Sequence, residues 1–149
     1  MACKMVSMDL SLQSTGYAVY EDGKLVKYGN FVHKKAKENH LETMSNDIIS
    51  LLNSENPQIV VVEDVPYTKN MITFKKLERL IARVEAWCQI RDNITYQEYL
   101  PKHWRKLLNG PGNGQREEAK AWAMEKTGIM QDDIAEAVLI GQAYITEWT

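Results

Sequence analysis

A single α/β domain, built on a mixed five-stranded sheet with helices on both sides, is the fold class predicted for this chain. Three observations predict it. Residues 3–32 hold three strand-like runs joined by short polar turns, the pattern of an antiparallel meander. Two further strand-like runs, at 59–62 and 94–99, each follow an amphipathic helical stretch, so the chain reaches them by crossovers. No repeat, low-complexity segment or linker interrupts residues 1–149, and that length suffices for one core.

The first strand is expected at about 3–10, Gln13-Ser-Thr-Gly16 as a turn, and Tyr17–Tyr20 as the second strand. Asp22-Gly23 is a strong hairpin signal and leads into a third strand, Leu25–Val32. Polar residues 34–39 precede a helix with Leu41, Met44, Ile48 and Leu51 on one face, which Asn56-Pro57 ends. Ile59–Val62 is continuously apolar, as a strand covered on both faces is. A long helix follows over about 71–91, with Phe74, Leu77, Ile81, Val84 and Cys88 spaced 3,4,3,4. Leu80 and Trp87 widen its stripe, for burial within one subunit or against a second. After the fifth strand, 94–99, Pro101 suits the first turn of a short helix to Leu108. Asn109–Gly114 is a Gly-rich loop without Walker spacing. Helices over 117–126, stopped by Gly128, and over 132–147 complete the chain.

Composition excludes several classes. The 44% hydrophobic and 26% charged residues fit a globular protein. No apolar run approaches the roughly 18 residues of a membrane helix, and none follows Lys4 as in a secretory signal. Cys3 and Cys88 form neither a disulfide framework nor a CxxC pair, which suits reduced thiols in a cytoplasmic protein. The net charge is −2, but it is unevenly spread. Residues 66–116 carry 10 basic and 4 acidic groups, between a 1–65 segment with 6 and 9 and a 117–149 segment with 2 and 7. This basic middle is either a polyanion-binding face or a set of solvated helix faces.

Carboxylates stand where core elements begin or end. Asp9 closes the first strand and Glu63-Asp64 the fourth, while Asp132, Asp133 and Glu136 open the apolar last helix. Buried charge is costly unless shared, and a divalent cation is the simplest partner for several carboxylates. If the first and fourth strands are neighbours, Asp9 and Glu63 emerge together at one end of the sheet. Asp133 and Glu136 are i and i+3, hence on one helix face, and small Ala135 and Ala137 let that helix approach closely. Helix-dipole stabilisation alone accounts for Asp132 and Asp133, but not for Asp9, Glu63 or Glu136. All-oxygen ligands favour Mg²⁺ or Mn²⁺, and a pair of such ions roughly 4 Å apart hydrolyses phosphodiesters. His33, His40 and His103 are isolated, and no base accompanies a Ser or Cys for acyl transfer.

Asp9 with Ser14-Thr-Gly-Tyr17, then Ile59-Val-Val-Val-Glu-Asp-Val-Pro-Tyr-Thr-Lys-Asn70, then Asp133-Ile-Ala-Glu-Ala137, resembles the RuvC family of Holliday junction resolvases. The small size and divergent motifs look most like the versions carried by lactococcal phages. The resemblance implies a ribonuclease H-like fold, a homodimer, and Mg²⁺-dependent nicking of four-way DNA junctions in the cytoplasm. It assigns catalysis and metal binding to Asp9, Glu63, Asp133 and Glu136, with Asp132 as a possible further ligand. The last acid is usually Asp in the family. Cellular members carry Asp-Pro-Gly where this chain has Asp9-Leu-Ser11, and an aromatic at the position of Pro66, beside Tyr67.

Beside that resemblance, Lys69, Lys75, Lys76 and Arg79 follow the fourth strand, where a phosphate backbone would approach. Arg105, Lys106, Arg116 and Lys120 flank the Gly-rich loop and are candidates to grip a second DNA arm. Tyr67 is a candidate for stacking on an unpaired base, with Asn70 in the same DNA-contacting segment. Two alternatives stand beside the nuclease: an inactive DNA-binding module on the same fold, and an actin-like phosphate-binding ATPase fragment. The latter lacks a second phosphate loop, and no nucleotide cofactor or membrane partner is expected.

Overall fold

The computed structural model describes residues 3–33, 40–65, 70–112 and 116–149. In chain order the elements are β1 (Lys4–Asp9), β2 (Ser14–Glu21), β3 (Lys24–Val32), α1 (His40–Glu55), β4 (Ile59–Glu63), α2 (Met71–Gln89), β5 (Thr95–Tyr99), α3 (Pro101–Leu107), α4 (Arg116–Thr127) and α5 (Asp132–Trp148). The five strands form one mixed sheet in the order β3-β2-β1-β4-β5. The first three are antiparallel neighbours. β4 and β5 join parallel to β1 and to each other.

Local chemistry explains the frame. Asp22 and Gly23 both take positive φ, 52° and 81°, which closes the β2–β3 hairpin with the twist such a turn needs. Asn56 at φ 50° ends α1, and Gly128 at φ 75° ends α4 with its N–H donating to the Met124 carbonyl. Asn70 caps α2, its side chain accepting from the Thr73 N–H.

Two expectations need correction. The turn placed at Gln13–Gly16 lies earlier, because Ser14 to Gly16 already pair with Val32 to Asn30 in β2. Thr15 closes that turn from within the strand: its hydroxyl donates to the Ser11 carbonyl at 2.7 Å and accepts the Ser11 N–H at 3.1 Å. The apolar stripe of α2 is also only half used. Leu80, Ile81, Val84, Trp87 and Cys88 are buried, and Trp87 donates to Asn53 of α1. The first two turns project outward, with Met71 45% and Ile72 70% exposed.

Strand alternation divides the core into two layers. Val6, Met8, Val19, Val60 and Val62 pack against α1 and α2. Met5, Ala18, Tyr20, Val61 and Tyr99 face α5, with Trp104 of α3 and Ala123 of α4. Every odd-numbered residue of β1 therefore points toward α5, and so does Glu63, two residues beyond Val61.

Candidate active site

The sheet register brings the acids together. Met8 of β1 pairs with Val62 of parallel β4, so Asp9 and Glu63 sit one residue further along, side by side on the α5 face. α5 reaches them because the sheet leaves it room. A side chain at Gly16 would place its Cβ 2.1 Å from the Asp133 carbonyl oxygen, so only glycine lets the first turn of α5 lie on β2. Further along, Gly141 packs against Tyr20 and Ser7. Ser7 and Tyr20 hydroxyls donate to the Ala137 and Val138 carbonyls at 2.7 and 2.6 Å, anchoring the helix.

The result is a cluster of Asp9, Glu63 and Glu136, whose nearest carboxylate oxygens all lie within 4.8 Å of one another. Glu136 is only 7% exposed. Burial pushes the Asp9 carboxyl well above the usual carboxylate range, and the charges of Glu63, Glu136, Asp133 and Asp132 push it the same way. Burial also raises Glu63, while the Trp104 N–H and the Arg105 and Arg116 guanidiniums pull it back. Glu136 is pushed from 4.5 up to about 7, first by burial and then by Glu63. Trp104 Nε1 donates to Glu63 Oε2 at 2.6 Å, and Arg105 lies 3.9 Å from Glu136 Oε2. Three desolvated carboxylates with so little opposing charge, all offering oxygen, fit a hard divalent cation.

Not every expected ligand is in this cluster. Asp133 points to β2 and β3 instead: Ser14 Oγ and Asn30 Nδ2 donate to its Oδ2, and Oδ1 accepts the Ile134 N–H. Asp132 pairs with Lys120 at 3.4 Å. Asp64 continues the β4–β5 ladder through its N–H to the Tyr99 carbonyl and accepts the Val65 N–H.

The basic candidates divide by position. Lys75, Lys76 and Arg79 are exposed on α2. Lys106 is exposed, with Lys102, Asn109 and Gly110 lining an open cleft of about 370 Å³. Arg116 is exposed at the start of α4. Arg105, grouped by sequence with the loop-flanking cations, is instead 11% exposed and turned toward Glu136. Its Nε has no hydrogen-bond partner among the described residues. Tyr67 and Lys69 lie outside the described residues, and Asn70 is engaged as the α2 cap. Sequence reasoning missed Trp104, Ser14 and Asn30. Trp104 was legible only as the fourth residue of a Pro-led helix, hidden among basic neighbours.

The raised carboxylates make a measurable prediction. Folded-state values above the unfolded ones mean that the fold binds more protons than the unfolded chain. The contribution of these groups to stability is then fully present below about pH 4.5 and is lost as pH rises through about 7. Metal-free protein is expected to melt roughly 5 °C lower at pH 7.5 than at pH 5, with millimolar Mn²⁺ restoring most of the loss. Glu136→Gln should flatten the dependence in thermal denaturation. A flat profile in the unsubstituted protein would contradict the account of a mutually repelling cluster.

No protein-family model matches the chain. A crossover junction endodeoxyribonuclease RuvC from Caldicellulosiruptor saccharolyticus is 23% identical over 156 residues, covering 95% of this chain and 92% of that protein. Among solved structures, Thermus thermophilus RuvC in complex with a Holliday junction substrate superposes with a TM-score of 0.70 at 12% identity, covering 97% of this chain and 93% of that one. The Fowlpox virus resolvase with its Holliday junction DNA superposes with a TM-score of 0.66 at 15% identity, covering 99% and 98%. The resemblance carried by the motifs around Asp9, Glu63 and Asp133 thus extends over nearly the whole chain in sequence and in fold.

Proposed function

We propose that this chain is a RuvC-type endonuclease that hydrolyses phosphodiesters in branched DNA, four-way junctions above all, at the Asp9–Glu63–Glu136 site. The observation that carries this is the convergence of three acids from β1, β4 and α5 within 4.8 Å, in a chain similar end to end to junction resolvases.

Asp9, Glu63 and Glu136 would hold Mg²⁺, or Mn²⁺ in its place, with Asp133 a candidate once the Ser14 and Asn30 bonds yield. A bound divalent cation would supply acidification of the attacking water and neutralisation of charge on the phosphate. In the reaction a water oxygen bonds to phosphorus and the bond from phosphorus to a bridging oxygen breaks. Arg105, whose buried Nε has no hydrogen-bond partner among the described residues, lies beside Glu136 and is suited to a non-bridging phosphate oxygen. Exposed Lys75, Lys76 and Arg79 suit the DNA backbone beyond the site, and Lys106 and Arg116 a second arm. Tyr67 remains our candidate for base stacking at the crossover, with Lys69 and Asn70 beside it. Lys120 is a weaker candidate because Asp132 already engages it. Half-buried Phe74 and Leu77, on the side of α2 away from Lys75 and Arg79, support a homodimer formed through the first turns of α2.

Two measurements test this. Plasmid bearing an extruded cruciform should be linearised in Mg²⁺, as two opposed nicks made by a dimer require. Nicked circles alone would contradict paired cutting. Replacing Lys75, Lys76 and Arg79 together with Ala should weaken junction binding and reduce the slope of log affinity against log salt by roughly 2 to 3. An unchanged slope would remove α2 from the DNA path.

A further inference from the structure

The indole of Trp104 is fully buried, yet its N–H is not spent on backbone or on another core residue. It donates to Glu63 Oε2 at 2.6 Å, the short length of a charge-assisted bond. Two side chains pack on the ring behind it. Trp122 of α4 stacks on it, with centroids 6.2 Å apart and planes at 29°. The Arg105 guanidinium sits 5.4 Å over its centroid. Trp122 in turn is backed by Gly110, where any Cβ would fall 2.5 Å from the Trp122 ring. A continuous packed path therefore runs from the Gly110 end of the loop, through Trp122 and Trp104, to the Glu63 carboxylate.

We infer that Trp104 is a positioning residue for the cation site: its indole N–H fixes the rotation of the Glu63 carboxylate, so that its free oxygen faces Asp9 and Glu136. Trp122 and Gly110 pack behind the indole, and the bond from its N–H is what sets the carboxylate. The inference rests on the metal-site reading above, and it adds a residue that contacts neither cation nor DNA. A carboxylate oriented in this way binds metal more tightly than one free to rotate. Partners of ligands typically contribute 10- to 100-fold in metal affinity. A tryptophan that merely filled the core would lower the melting temperature when replaced, without changing the cation concentration the site needs.

Trp104→Phe keeps an aromatic ring in the stack and removes the donor together with part of the ring volume, a packing loss that shows as a lower melting temperature. Titrating Mn²⁺ by calorimetry, in the absence of DNA, is expected to show a dissociation constant raised roughly 10- to 100-fold in this variant. Trp122→Phe, which leaves the Trp104 N–H in place, should change it less than threefold. Junction binding without divalent cation should be the same for all three proteins. Mn²⁺ affinity unchanged in Trp104→Phe overturns the inference, and so does an equal loss in Trp122→Phe, which would locate the effect in the stack. If the unsubstituted protein binds no Mn²⁺ at all, the metal-site reading fails first and is seen to do so.

A second measurement needs no folded variant. In the unsubstituted protein, labelled with ¹⁵N-tryptophan, the Trp104 indole proton should be shifted downfield and protected from exchange, and Mg²⁺ should move it. An indole proton that exchanges freely and ignores Mg²⁺ overturns the inference.

Discussion

Asp9→Asn is expected to lower junction cutting by about three orders of magnitude or more, the scale on which a preorganised electrostatic group counts in catalysis. Asp9 is one of the three acids of the cluster, next to Glu63 across the β1–β4 pair and within reach of Glu136. The amide is nearly isosteric, so the strand and its contacts persist. Junction affinity measured in Ca²⁺ should stay within several-fold, because the basic side chains on α2 and α4 are untouched. One consequence runs against intuition. Burial and four neighbouring acids all disfavour the Asp9 charge, so removing it should raise the melting temperature of the metal-free protein. Glu63→Gln should behave in the same direction for cutting. Nicking at the unsubstituted rate by either variant would mean that the chemistry lies elsewhere.

Gly16→Ala is expected to be the most damaging Gly→Ala substitution among the described glycines. The added Cβ would lie 2.1 Å from the Asp133 carbonyl oxygen, 2.4 Å from its carbon and 2.8 Å from the Ile134 nitrogen. All three are backbone atoms of α5, and no side chain can swing aside. Either β2 or the helix must move, and Ser7 and Tyr20 tie the helix down about one turn later. The destabilisation should exceed about 3 kcal/mol, the upper end for inserting a group into a packed interior. Cutting should fall further than the loss of folded protein explains, since the same displacement carries Glu136 away from Asp9 and Glu63. Gly23→Ala is the control. It adds strain at a positive φ of 81° but meets nothing within 4 Å, so it should cost about 1 kcal/mol and leave cutting intact. Chemical denaturation of the two variants, alongside cutting rates per folded molecule, checks both statements. A Gly16→Ala protein as stable as the original would refute the close approach of α5 to β2.

Much of this was legible before any coordinates. Hydrophobic alternation and the Asp-Gly turn locate the meander, and the continuous run at 59–62 marks a strand buried on both faces. Asp9 and Glu63 are conspicuous because they interrupt or end such runs, and their adjacency follows once β1 and β4 are neighbours. Glu136 stood out because helix-dipole logic explains acids only in the first turn. The less visible parts depend on side-chain direction. Asp133 shares a helix face with Glu136, but Ser14 and Asn30 on adjacent strands capture its carboxylate. Arg105 and Lys106 are adjacent in sequence, yet α3 turns one inward to Glu136 and leaves the other in solvent. Trp104 could not be assigned to Glu63 from spacing, since the pair is 41 residues apart and meets only when α3 packs against α5.

The central claim is that the acids of β1, β4 and α5 cut branched DNA with the help of a divalent cation. End-labelled four-way junction, incubated with the purified protein in Mg²⁺ and resolved on a denaturing gel, tests it most directly. The account predicts breaks in two opposed strands, none in linear duplex of the same sequence, and none with EDTA or with Asp9→Asn. An intact junction in both Mg²⁺ and Mn²⁺, or cutting that survives EDTA, would contradict it.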